Sequence, residues 1–200
     1  MSLQIINQNE EKISIRLQGI PLQYANALRR ICLNGIPIYA IDTIDILENS
    51  SIIADEGIAH RLGLIPLKTE FSAIESNSDS DKILLTLDSC DTDETRTVFS
   101  DELKSNDSFV KPISEKIPIV TLAPNQKIRI EAHAKLGRGT EHAKWNSSNI
   151  ATLIDTEKDD ERILTIESTG ALEPKQIVLA GINELSNRLD TFKEIITDLK

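Results

Sequence analysis

Between Pro174 and Leu199, apolar side chains recur on a seven-residue beat. Val178, Leu185, Phe192 and Leu199 are seven apart, and Ile182, Leu189 and Ile196 repeat that spacing four residues out of phase. Such a seam belongs to a helix packed lengthwise against another helix. At 1.5 Å per residue the helix is about 39 Å long. Two readings stand. Either the helix covers this chain's own sheet, or part of it passes beyond that sheet and packs against another chain. The seam is long for the core of a chain of 200 residues, which favours the second.

A second helix is expected over Gln23–Pro37. Leu28, Ile31 and Cys32, with Tyr24 or Ala25 a turn earlier, form an apolar stripe. Pro21 suits its first position, Gly35 a left-handed stop, and Pro37 cannot continue it. Arg29 and Arg30 fall toward its end. There, cations suit the carbonyl pole of the helix; a binding surface is the other reading. Strands are expected at 3–6, 13–17, 83–87, 95–99, 117–122, 128–136, 151–154 and 162–167. A further strand, mostly buried, is expected at 38–47, since its apolar residues fall on both faces. A short helix fits 55–62, and residues 72–81 read as a polar surface loop. The fold class is α+β.

The chemistry is sparse. His60, His133 and His142 are scattered, and no metalloprotease, nucleophile-elbow or phosphate-loop spacing occurs. Asp42 and Asp45 read as rim residues rather than an acid/base pair. Cys32 and Cys90 are the only cysteines, so no structural zinc or iron–sulfur ligand set exists, and no metal or cofactor is expected. A net charge of −10 disfavours direct nucleic-acid binding. No apolar run spans a membrane and no secretory leader precedes the first strand, so a cytoplasmic location is expected. Arg138, His142, Lys144 and Trp145 gather in one glycine-punctuated loop, Gly137–Trp145. Arg and Trp are interface residue types; a basic loop with Trp145 in its own core is the equal alternative.

Several stretches resemble the family of archaeal RNA polymerase D subunits, itself similar to the third-largest subunit of eukaryotic polymerase II and to the bacterial α amino-terminal domain. They are Tyr24-Ala25-Asn26-Ala27-Leu28-Arg29-Arg30-Ile31, Ile41-Asp42, Ala59-His60-Arg61-Leu62-Gly63-Leu64-Ile65-Pro66-Leu67, Thr97–Leu103, Ile117–Val120, Leu136–Gly139, Glu141–Trp145 and Ser168–Pro174. The landmarks span nearly the whole chain in the expected order.

The resemblance implies a split dimerisation domain (1–48 and 158–200, sheet plus helices) with a β-rich insert domain at 49–157. It implies a non-catalytic assembly subunit that pairs with the small homologous L subunit. Together with the small N and P subunits, the pair forms a platform for the large catalytic subunits. Pairing would use Leu28, Ile31, Val178, Ile182, Leu185, Leu189, Phe192 and Ile196. Large-subunit docking would use Arg29 and Arg30, matching a contact with the second-largest subunit, and Arg138, His142, Lys144 and Trp145, matching another assembly surface of the insert domain. Many family members add a cysteine-ligated iron–sulfur domain and eukaryotic ones a zinc loop. This chain lacks the cysteines and ends at Lys200, so a compact archaeal form without the bacterial DNA-binding domain is expected. The alternative is a self-dimerising regulator, or an anion-binding protein using the Gly137–Lys144 loop.

Overall fold

The computed structural model describes residues 2–70, 82–90, 93–158 and 160–199; the loop expected at 72–81 lies outside them. In chain order the elements are β1 (Ser2–Gln8), β2 (Lys12–Gln18), α1 (Leu22–Asn34), β3 (Ile38–Asn49), α2 (Asp55–Gly63), β4 (Ile83–Asp88), β5 (Arg96–Phe99), β6 (Lys104–Ser105), β7 (Pro118–Leu122), β8 (Ile128–Gly137), β9 (Ser148–Asp155), β10 (Glu161–Ser168) and α3 (Pro174–Asp198). The fold is α+β. Two compact units divide it: residues 1–37 with 138–200, and residues 38–137. No helix among the described residues is long and apolar enough to cross a membrane.

In the discontinuous unit the sheet order is β1-β2-β10-β9, all antiparallel. The alternation in β2 decides its faces: Ile13, Ile15 and Leu17 are buried, as are Leu164 and Ile166 of β10. On the opposite face Ser14 and Thr165 share a hydrogen bond across the strands (3.1 Å). α1 packs on β9 and β10, and α3 on α1, β10 and β2. α3 starts with a reciprocal cap. Glu173 accepts from the third residue of the helix, while its own amide donates to Gln176 Oε1 (3.1 Å), and Pro174 takes the first turn.

The continuous unit holds a sheet of order β3-β8-β4-β6 and a two-stranded β5-β7 ribbon. Ile58 and Leu62 of α2 enter its core beside Ile41, Leu85, Val98 and Ile130. Arg61 donates to the carbonyl of Ile119 (2.8 Å), which ties α2 to β7. Ile38 pairs with Gly137, so the unit's first and last residues are neighbours. That closeness lets it sit inside another unit's sequence without distorting either.

Several expectations need correction. β3 is buried only over Ile38–Ile41 and then alternates, leaving Leu47 exposed, because it is the outer strand of its sheet. It pairs with β8 along its length, so it belongs with residues 38–137, while 138–157 fold with α1 and β10. By contact the units meet at 37/38 and 137/138, beside expected domain limits at 49 and 157. Asp42 and Asp45 pair with Lys135 (3.0 Å) and His133 (3.2 Å) rather than with each other, in line with the rim reading expected of them. Gly35 is right-handed (φ −94°), not left-handed. Its missing side chain is explained by space, since a Cβ there would lie 3.0 Å from the Ile31 Cα.

Candidate assembly surface

α1 buries Ala25, Ile31 and Cys32 and leaves Tyr24 and Leu22 exposed. It meets α3 at Gly181, where a Cβ would come within 2.7 Å of Cys32 Sγ. Burial pushes the Cys32 thiol up to about 12. A helix leaves its last carbonyls without intrahelical donors, and here the segment 138–148 supplies them. Ser147 and Ser148 hydroxyls both donate to Cys32 O (2.9 and 2.7 Å), the Thr140 amide to Asn34 O (3.2 Å), and Arg138 Nη1 to Gly35 O. Gly139 permits this approach: a Cβ would collide with Asn146 Oδ1 and lie 2.7 Å from Asn34 Cβ.

The basic loop therefore faces inward more than expected. Trp145 is 3% exposed, in keeping with its core reading. Lys144 Nζ stands 4.2 Å from the Trp145 ring centre, a cation–π contact. Arg138 is held in a fork by Glu184 (Nη1–Oε1 3.0 Å, Nη2–Oε2 3.3 Å), which takes the chief cation away from the anion-binding alternative. His142 is exposed, and its Nδ1 accepts the Lys144 amide (3.1 Å).

The arginine pair also changes meaning. α1 runs on to Asn34 and carries no basic residue in its last turn, so the carbonyl-pole account loses its ground. Arg29 is half-buried, donating to Asn26 Oδ1 (3.0 Å) and to Ala151 O on the outer strand β9 (3.2 Å). Arg30 is exposed, without a hydrogen bond or ion pair to the other described residues.

α3 divides in two. Up to Gly181 it is anchored, with Ile177, Val178, Ala180 and Gly181 buried. From Ser186 to Leu199 every residue is exposed, including Leu189, Phe192 (60%), Ile195 and Ile196. Ile31 and Val178, at 6% and 7% exposure, are core residues, and the expected pairing surface narrows accordingly. Leu28 and Leu185 are half-buried, and Ile182 is exposed. Leu28, Val178 and Ile182 do come together: with Leu179 they wall a cleft of about 280 Å³ floored by Leu3, Ile5, Ile15 and Leu17. Leu3 and Ile5 pair across from Leu17 and Ile15, on the helix side of the sheet, yet stay 59% and 49% exposed. The helices do not extend over β1. Leu179 and Ile195, which flank the seam by one residue, and the two β1 residues escaped the heptad pattern because they lie off its beat or off its element.

Residues 44–157 match the family described as the RNA polymerase Rpb3/RpoA insert domain. The chain belongs to that family. Its matched range covers the sheet of residues 38–137 from β3 onward and runs through the 138–148 cap into β9. Similar proteins include DNA-directed RNA polymerase subunit Rpo3 of Pyrococcus horikoshii, 42% identical over 146 residues (72% of this chain, 56% of the relative). The Rpo3 of Methanosphaera stadtmanae is 35% identical over 175 residues (79% and 65%). That of Methanocaldococcus jannaschii is 36% identical over 172 residues (86% and 84%). The chain spans little more than half the length of the Pyrococcus relative. This family member resembles archaeal Rpo3 subunits on both sides of the insert, since 86% of the chain exceeds what the 44–157 match alone covers.

Proposed function

We propose that this chain is a non-catalytic assembly subunit of a DNA-dependent RNA polymerase, a structural member of that nucleotidyltransferase complex in the cytoplasm. The observation that carries the reading is the apolar face of α3, exposed at Ile182, Leu189, Phe192, Ile196 and Leu199, in a chain of a polymerase-subunit family. The β1 cleft adds a second apolar strip at the root of the same helix. A contiguous face of this kind marks an interaction site. The partner is the small homologous L subunit, whose helix fills the seam. The N and P subunits and the second-largest catalytic subunit join the pair, the last meeting exposed Arg30 together with His142 and Lys144. Catalysis and contact with DNA fall to the large subunits, in keeping with a net charge of −10 here.

Affinity purification of the native chain from its own cells tests the proposal. The other polymerase subunits are expected to come with it, and co-expression with the small homologous subunit is expected to give a 1:1 complex by light scattering. A monodisperse monomer that ignores that subunit overturns it.

A further inference from the structure

Glu184 sits where α3 stops being anchored. Up to Gly181 the helix is anchored against α1 and the sheet; beyond Leu185 every described residue is exposed. Its carboxylate is held from two sides. Arg138 grips it in a fork (3.0 and 3.3 Å) while also donating to the carbonyl of Gly35, and Arg188, one turn further along α3, donates to its Oε1 (2.7 Å). Arg138, at 30% side-chain exposure, and Glu184, at 18%, are shielded enough for the pair to resist screening better than a surface bridge. One chain of charge-assisted hydrogen bonds thus runs from the end of α1, through the 138–148 segment, into the first turn of the free half of α3.

We propose that Arg138, Glu184 and Arg188 form a positioning relay that fixes the angle at which the free half of α3 leaves its unit, presetting the seam for its partner. The inference rests on the assembly reading above for what the seam is for, but the relay itself is a property of this chain alone. Leverage is the reason it matters. Residues 186–198 extend about 20 Å, so a tilt of about 10° at Glu184 moves the far end about 3.5 Å, enough to take seam side chains out of the holes they fill. Between buried Gly181 and exposed Ser186, half-buried Leu185 is the apolar side chain that packs at the base of the free half. A planar guanidinium fork fixes direction as well as distance. Ordering the helix before it meets its partner removes that cost from association.

The test uses the full chain with Cys90→Ser, spin-labelled at Lys12→Cys on β2 and Glu194→Cys on the side of α3 away from the seam. Buried Cys32 stays unlabelled. Pulsed dipolar spectroscopy is expected to give one narrow distance distribution with Glu184 present and a broad one for Glu184→Gln or Arg138→Lys. Glu184→Gln keeps size and helix propensity, Arg138→Lys keeps the charge outside any helix, and unchanged amide protection in β2 and β10 confirms that the unit stays folded. Affinity for the small homologous polymerase subunit is expected to fall about tenfold in either variant, and by no more than that in the double variant, because the two residues act through one contact. Distributions of equal width with and without Glu184 overturn the relay. So does a double variant whose losses simply add. Failure of the unaltered chain to bind the small subunit counts against the assembly reading alone, because the distance measurement needs no partner.

Discussion

At the scale of single residues, the unit of 1–37 and 138–200 depends on close approaches that leave no room for a methyl group. Gly139 lies against Asn34 and Asn146, and Gly181 against Cys32. Gly139→Ala forces the 138–148 cap off the end of α1, and Gly181→Ala separates the two helices. Each is expected to lower unfolding stability by about 1–3 kcal/mol, measured by denaturant titration. The cysteines part company in the same way. Cys32 is buried with its thiol pushed up to about 12, while Cys90 is exposed. An alkylating reagent at pH 8 is therefore expected to modify one site, Cys90, in the folded chain and both in denaturant, read by mass spectrometry. Because folding holds Cys32 neutral, its contribution to stability is complete below the range where an unfolded thiol ionises, about 8.5. It declines as pH rises from there toward 12.

At the scale of elements, α3 explains both what sequence reasoning reached and where it stopped. The seven-residue beat located the helix to within one residue of its observed end, and the lack of any shorter period left its partner undefined. Periodicity reports which side chains share a face. It does not report how far the neighbouring sheet extends, and that decides why Val178 is core while Phe192 is bare. Phe192→Asp or Leu189→Asp is thus expected to leave the chain folded, because neither side chain is buried in it. The same change is expected to abolish binding of the small homologous subunit in a titration, since it places an unpaired charge in the seam. Unchanged affinity contradicts the pairing role. The Gly137–Trp145 loop was harder to read. Its residue types point to an interface, while the structure shows a local task too: Thr140 of the loop and, just past it, Ser147 and Ser148, hydroxyls with no motif around them, cap α1. Arg29 and Arg30 were separable only once the helix was seen to continue to Asn34 and β9 to lie beside it.

At the scale of the whole molecule, the exposed half of α3 and the uncovered β1 face predict how the isolated chain behaves. Sedimentation at rising concentration is expected to show reversible self-association, suppressed by the small homologous subunit or by Phe192→Asp. A concentration-independent monomer contradicts that expectation. The division of the chain also has a consequence in time. β2 finds its partner strand β10 across the whole of the second unit, whereas residues 38–137 contain every strand of their own sheet. On a ribosome the second unit has all it needs before residue 140 emerges. The hairpin and α1 must wait for β10 and α3. The exposed half of α3, the surface proposed for a partner, is therefore made after the whole of the second unit.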